Sequence, residues 1–313
     1  MAEHLLTLDS LGRDGVREIL DLSHRFKREP GRHRGALAGG RVGMIFDKPS
    51  TRTRVSLEGA AWALGMLQIV LRPDELQLGH GETVADTARV LSRYLSALTI
   101  RTFAQARVEE LAANSSIPII NALTDEHHPC QALADVMTLE EALGDLRGRR
   151  VAFVGDGNNV AHSLIQAAGY LGFNLVIATP EGYRPDPAIV AAGRAHGAAN
   201  GGGIELVTDP ADAVPGADAV YTDVWASMGK EAERDERRRI FAWYTVDEAM
   251  MAGAGPRAIF LHCLPAHRGD EVTDAVMDGM QSRVWDQAEN RVYTEQALLY
   301  ALISGDHRGE RLE

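Results

Sequence analysis

The chain has 313 residues, 45% of them hydrophobic, and a formal charge of -12 at pH 7, from 32 Lys and Arg against 44 Asp and Glu. That length suits one large core or two ordinary ones, and the acidic balance excludes a broad electrostatic attraction to nucleic acid or anionic membrane. No apolar run approaches membrane-spanning length, the amino terminus lacks a basic-then-apolar secretion pattern, and Cys130 and Cys263 lack CxxC-type spacing, so a cytoplasmic protein with two reduced thiols is expected.

Short apolar runs of strand length alternate with stretches of helical period. In the first half, strands are predicted at Val42 to Phe46, Ala97 to Ile100 and Ile117 to Ile120, with helices from about Thr53, after Ile100 and from Gln131 to Leu143. In the second half, strands are predicted at Val151 to Val154, Leu175 to Ala178, Ile204 to Val207, Ala219 to Thr222 and Ala258 to Leu261. Buried-looking strands alternating with helices imply an α/β fold, with two parallel-sheet domains of similar size and the active site in the cleft between them. The polar, Gly-rich segment Gly144 to Arg150 separates the halves, giving expected domains of residues 1–143 and 144–291. A last amphipathic helix, Thr294 to Ile303 within about 292–313, places Ala297, Leu298, Ala301 and Leu302 on one face and can pack back onto the first domain.

Ligands in open parallel sheets collect at the loops leaving the carboxyl ends of the strands. After the strand ending at Phe46 comes Asp47-Lys48-Pro49-Ser50-Thr51-Arg52-Thr53-Arg54, leading into a helix. Such a turn offers backbone N–H groups, hydroxyls, a helix dipole and guanidinium groups to one point, which are the parts of a phosphate site. A plain Ser/Thr helix cap is the ordinary meaning of hydroxyls here, but a cap does not need the three hydroxyls and two arginines of Ser50 to Arg54. The Gly-rich run and Lys-Ser/Thr pair of a P-loop are absent.

The run Ser50 to Arg54 resembles the carbamoyl phosphate signature of aspartate and ornithine carbamoyltransferases. Three further signatures follow in the family's order: His128-Pro129-Cys130-Gln131, Asp223-Val224-Trp225-Ala226-Ser227-Met228-Gly229 and His262-Cys263-Leu264-Pro265. The resemblance covers essentially the whole chain. It assigns Ser50, Thr51, Arg52 and Thr53 to the phosphate, Arg101 to a bridge between phosphate and carbamoyl oxygen, and His128 and Gln131 to the carbamoyl end. It assigns Arg291 to the carbamoyl oxygen, and Gln77 to a loop that completes the site from a neighbouring subunit. Arg54 is read as support for the loop. Taken singly, His128 reads as a helix-start histidine, Gln131 as a solvated first-turn residue and Arg291 as a surface cation.

The run Val151 to Asn159 invites a dinucleotide reading, but Val160 replaces the third glycine and no acid lies near Ile177 to Thr179 for a ribose. The better reading is a tight loop presenting an amide. The resemblance points to Asn159 as a contact to the amino-acid end of the acceptor, with Asn158 a turn asparagine. An acceptor with an α-ammonium and methylenes calls for an acid and an apolar slot, which suits Asp223 and Met228. The Ser-Met-Gly run is characteristic of the ornithine-using branch, with Asp223, Ser227, Met228, Cys263 and Leu264 implied as acceptor-binding residues.

The activity implied is carbamoyl transfer from carbamoyl phosphate to the side-chain amine of L-ornithine, giving citrulline and phosphate, as in arginine biosynthesis. Putrescine or N-acetylornithine as acceptor is the alternative. Arg101, His128, Cys263 and Arg291 are the implied catalytic residues, with Thr53 sharing the oxyanion and Cys263 taking no covalent part. No metal or organic cofactor is expected. The expected partners are the two small substrates and further copies of the chain, in a homotrimer or multiple of trimers, with no nucleic acid and no membrane.

Overall fold

Each strand of this chain is short and is followed by a helical crossover, so every pairing within its sheets is parallel. The computed structural model describes residues 3–72, 74–76, 81–226, 233–306 and 309–310. It divides into two compact units, one of residues 1–134 with 289–313 and the other of residues 135–288.

The first unit contains α1 (Gly12–Arg28), β1 (Arg41–Phe46), α2 (Thr51–Ala63), β2 (Leu67–Leu71), α3 (Val84–Tyr94), β3 (Ala97–Arg101), α4 (Gln105–Ala113), β4 (Ile119–Leu123) and the start of α5 (Pro129–Leu143). Its sheet runs β2-β1-β3-β4. Val16, Ile19, Leu20 and Phe26 recur at helical spacing on α1 and are fully buried, which fixes that helix on its apolar face. Ile45, Leu98, Ile100, Val108, Leu111 and Ile119 form a core against the sheet, each worth roughly 1.5–3 kcal/mol when fully buried.

The second unit contains β5 (Arg150–Val154), α6 (Asn159–Leu171), β6 (Asn174–Ala178), α7 (Pro187–Asn200), β7 (Gly203–Val207), α8 (Pro210–Ala213), β8 (Ala219–Thr222), α9 (Arg234–Ile240), α10 (Glu248–Ala254), β9 (Ile259–His262) and α11 (Asp274–Met277). Its sheet runs β7-β6-β5-β8-β9. Trp225, Phe241, Tyr244 and Phe260 belong to its core, with Trp225 stacked on Phe241 at 5.7 Å between centroids. The last helix, α12 (Val284–Ser304), starts in this unit and ends in the first.

The α/β class and the two parallel sheets agree with the reading of the sequence. The main differences lie at three places. The strand expected at 117–120 lies at Ile119–Leu123. Strand β2 has no counterpart among the predicted strands, because it is a half-buried sheet edge and Gln68 interrupts its apolar run. Helix α12 begins ahead of the predicted Thr294, because its early turns bury Gln287, Asn290, Arg291, Thr294 and Glu295 in place of apolar side chains. No helix among the described residues is long and apolar enough to cross a membrane.

The strand orders select where ligands bind. In the first sheet the order reverses between β1 and β3, where Phe46 pairs with Arg101. In the second it reverses between β5 and β8. Open parallel sheets bind ligands just beyond such reversals, so the loops after Phe46, Arg101, Val154 and Thr222 are selected by topology alone.

Candidate active site

The loop after β1 is fixed before any ligand arrives. Asp47 accepts from Thr102 Oγ1 at 2.5 Å and from Arg107 Nη1 at 2.7 Å. Buried Lys48 pairs with Asp125 and lies 4.3 Å over the Phe103 ring. Ser50 caps α2, its hydroxyl accepting from the Thr53 N–H at 3.3 Å. The ordinary cap is therefore present, and the helix N-terminus it organises carries exposed Thr51, half-buried Arg52 and buried Thr53. Arg54 points the other way in function: it pairs with Glu58 on the exposed side of α2.

Arg291 gathers three helices of the first unit to one point. It is 3% exposed, donating from Nη1 to Gln131 Oε1 on α5 at 2.7 Å and from Nη2 to Thr53 Oγ1 on α2 at 3.2 Å. On its own helix Nε and Nη2 donate to Glu295 Oε1 at 3.0 and 2.6 Å. The surface-cation reading of Arg291 fails, since a guanidinium buried this deeply is held only by such a set of acceptors. Burial raises the Glu295 carboxyl pKa, while Arg291 pulls it back down.

Buried His128 stands immediately before α5, and Arg101 ends β3, also buried. Burial, followed by the charges of Arg291, Arg101 and Arg52, holds the His128 imidazole well below its ordinary pKa. His128 is therefore neutral at physiological pH and presents one N–H donor among three cations. Cys130 is structural: its thiol donates to the Asn121 carbonyl at 3.4 Å, and burial with Glu295 nearby pushes it up to about 12.

In the second unit, Asp223 follows β8 and is 7% exposed. One carboxylate oxygen accepts from Asn158 Nδ2 at 2.7 Å, the other from the Cys263 thiol at 2.9 Å. Asn158 also caps α6, its Oδ1 accepting from the Val160 and Ala161 N–H groups at 3.0 and 3.2 Å. Among the described residues Asp223 has no cationic partner. Leu264 lies beyond Cys263 with φ at 61°, half-buried, and Asn159 is the half-buried first residue of α6. Gly157 explains the glycine pattern that mimics a dinucleotide loop, because a Cβ there would meet Pro185 N at 2.3 Å and the Tyr183 carbonyl at 2.6 Å.

Asp223, His262 and Cys263 offer ligand atoms within 4.8 Å of one another, the spacing of a metal site. The imidazole is already engaged, however. Its Nδ1 accepts from the Leu264 N–H at 2.8 Å and its Nε2 faces Glu271 Oε1 at 3.3 Å. What is left is a carboxylate and a thiol, and a closed tetrahedral zinc site needs more.

The structure thus brings Arg52, Thr53, Arg101, His128, Gln131 and Arg291 together in one unit, and Asp223, Cys263 and Leu264 with Asn158 in the other. Gln77, Ser227 and Met228 lie outside the described residues. Sequence reasoning missed Glu295 and the hold of Asn158 on Asp223. An Arg and a Glu at i and i+4 in a helix could have revealed the first. Nothing in the sequence signals the second, which depends on two strand ends meeting.

Residues 3–141 match the carbamoyl-P binding domain of aspartate/ornithine carbamoyltransferases, and residues 147–302 the Asp/Orn binding domain. The chain belongs to the aspartate/ornithine carbamoyltransferase family. Within the family it is 50% identical to an ornithine carbamoyltransferase of Symbiobacterium thermophilum, over 96% of this chain and 97% of that one. An anabolic ornithine carbamoyltransferase of Pyrococcus furiosus is 49% identical, over 96% of each chain. The solved ornithine carbamoyltransferase structure from Pyrococcus furiosus superposes with a TM-score of 0.93, covering 97% of both chains.

Proposed function

We infer that this protein transfers the carbamoyl group of carbamoyl phosphate to the side-chain amine of L-ornithine, releasing citrulline and phosphate. The observation that carries the acceptor assignment is buried Asp223, which takes only neutral hydrogen-bond donors from the described residues. A carboxylate kept out of water in this way suits an ammonium ligand, whereas a second substrate carboxylate would be repelled. The names of the relatives agree with this choice, and the anabolic one with a role in arginine biosynthesis.

In this reading the N-terminus of α2 with Ser50, Thr51, Arg52 and Thr53 takes the phosphate, and Gln77 completes the site from a neighbouring subunit. Arg101 bridges phosphate and carbamoyl oxygen, and Gln131 holds the carbamoyl end. Asp223 takes the α-ammonium of ornithine, with Asn159, Ser227, Met228 and the Cys263–Leu264 turn around the rest.

An alkyl amine titrates near 10.4, so only about one molecule in 2,500 is a free nucleophile at pH 7, and selecting that form costs roughly 4.6 kcal/mol. Exclusion of water and the positive field of Arg52, Arg101 and Arg291 both favour the neutral amine. Its lone pair attacks the carbamoyl carbon, and negative charge builds on the carbamoyl oxygen. Thr53, Arg101, neutral His128 and Arg291 stabilise that charge, each donor contributing about 3 kcal/mol. The carbon–oxygen bond to phosphate then breaks, and the departing phosphate takes the proton of the amine. Cys263 forms no covalent bond; its thiol tunes the charge beside Asp223.

A homotrimer in the cytoplasm completes the proposal. Support for self-association is the exposure of apolar side chains on the first unit: Val55 and Trp62 on α2, Tyr94 on α3, and Leu67 on the half-buried edge strand β2. A parallel-sheet strand is ordinarily covered on both faces. The test of function is an initial-rate assay with carbamoyl phosphate and, in turn, ornithine, N-acetylornithine, putrescine and aspartate. Turnover with ornithine far above the others is expected; preference for putrescine or N-acetylornithine would contradict the assignment of Asp223.

A further inference from the structure

The first turn of α4 breaks the rules of a helix start. Ala104 at the N-cap offers no side-chain bond, and no acid stands in the first turn. The third residue of the helix is a cation, Arg107, which the helix dipole disfavours at that end. Its side chain is 29% exposed, and its Nε is buried without an acceptor among the described residues. An arginine placed so costs the helix free energy, and chains keep such local conflicts mainly where a function needs them.

What Arg107 reaches is Asp47. Its Nη1 donates to Asp47 Oδ2 at 2.7 Å, and among the described residues neither side chain has another ion pair. Asp47 is the residue after β1, and its side chain is 10% exposed. Its N–H donates to the Arg101 carbonyl at 2.9 Å, while the same Oδ2 accepts from the Thr102 hydroxyl at 2.5 Å. The carboxylate thus stitches the end of β1 to the end of β3. Three residues further along the chain the run Ser50 to Thr53 begins, and across the stitch stands Arg101. In the function proposed above both receive the phosphate, so an acid is built between two groups that take a dianion. Like charges repel over several ångströms inside a protein, so that acid weakens the ligand unless a cation offsets it.

We propose that Arg107 is a positioning residue for carbamoyl phosphate that acts through Asp47: it cancels the charge of the carboxylate tying the two loops, so that the tie is kept without its repulsion. The proposal rests on the assignment of the Ser50 to Thr53 loop to the phosphate.

The test uses the full-length protein. It reads KM for carbamoyl phosphate at saturating ornithine, and the affinity for inorganic phosphate by calorimetric titration. Arg107→Met removes the charge and keeps a long stem, and is expected to weaken both roughly tenfold. KM for ornithine should change by less than about twofold, since that site is built from other residues. Arg107→Lys keeps the cation and should retain most of the affinity. The decisive variant adds Asp47→Asn to Arg107→Met. Its amide oxygen still accepts from Thr102 and no charge is left to cancel, so affinity should return to within about threefold of the wild type. Asp47→Asn alone leaves Arg107 as a free cation and should bind phosphate more tightly than the wild type. A pair that serves the fold alone gives a different result: affinity falls when either member is changed and stays low in the double variant. A double variant as weak as Arg107→Met, weaker binding in Asp47→Asn, or near-normal phosphate affinity in Arg107→Met overturns the proposal. If Arg107→Met does not fold, the sign of the change in Asp47→Asn still decides. Wild-type phosphate affinity that does not depend on Arg52 would sink the assignment of the loop itself. With that dependence intact, the Asp47 and Arg107 variants judge the proposal alone.

Discussion

Around Thr53 and Arg291 the first unit crowds cations together, whereas around Asp223 the second unit leaves an acid among neutral donors. In the first unit the crowding is offset by Glu295, buried against Arg291 at 2.6 Å, and by His128, which gives up its own charge. In the second unit Asn158 and Cys263 orient Asp223 without neutralising it. The contrast teaches that the two sites hold their free energy in different places. Damage to the first should cost stability as well as binding, and damage to the second mainly binding.

The largest expected effect is at Arg291. Arg291→Met leaves Glu295 buried without its cation and is expected to cost about 3–5 kcal/mol of stability. Urea unfolding measures this, and carbamoyl phosphate affinity should fall with it. Replacing Glu295 by Leu in the same chain should restore much of the stability and none of the affinity, which separates the two roles. Retained affinity in the double variant would show that Arg291 serves the fold alone.

The next effect is on pH dependence. His128 is held neutral well below the ordinary imidazole range in the folded chain but titrates near 6.5 when unfolded. The unfolded state therefore binds more protons over that interval. The stability is fully present above about pH 6.5 and is lost as pH falls toward the folded value. His33 and His4, lowered chiefly by burial, act in the same direction. Stability measured from about pH 7 down to pH 5 should decline, and His128→Asn should flatten the slope by at most about 1.36 kcal/mol per pH unit. An unchanged slope would mean that His128 is charged in the folded protein.

The smallest effect dissects Asn158. Asn158→Ala removes the cap of α6 and should cost about 0.5–2 kcal/mol. Asn158→Ser keeps a capping oxygen and loses the amide that holds Asp223. It should therefore melt close to the wild type while its KM for ornithine rises. If Ser restores both, Asn158 is a cap and nothing more.

Much of this was legible in the sequence because the sheets are built from continuous apolar runs and the signatures sit at strand ends. The unread parts share a cause. Helix α12 buries Gln287, Asn290, Arg291, Thr294 and Glu295, so its apolar period begins only near Ala297, and the stretch that carries Arg291 looks least like a core helix. Edge strand β2 lacks the full burial that marks its neighbours. Asn158 reads as a turn residue because its second bond joins loops far apart in the chain. The four signatures named residues that the structure brings together within each unit, but Glu295 and the bond from Asn158 to Asp223 became visible only in the fold.

The proposed opposition between a cationic phosphate site and an acidic acceptor site is tested most directly by a paired kinetic measurement. KM for each substrate is determined, with the other saturating, in the wild type, Arg52→Ala and Asp223→Asn. Arg52→Ala is expected to raise KM for carbamoyl phosphate roughly 10- to 100-fold with little change for ornithine, and Asp223→Asn to do the reverse by a similar factor. Equal losses for both substrates in either variant would contradict the division of labour between the two units.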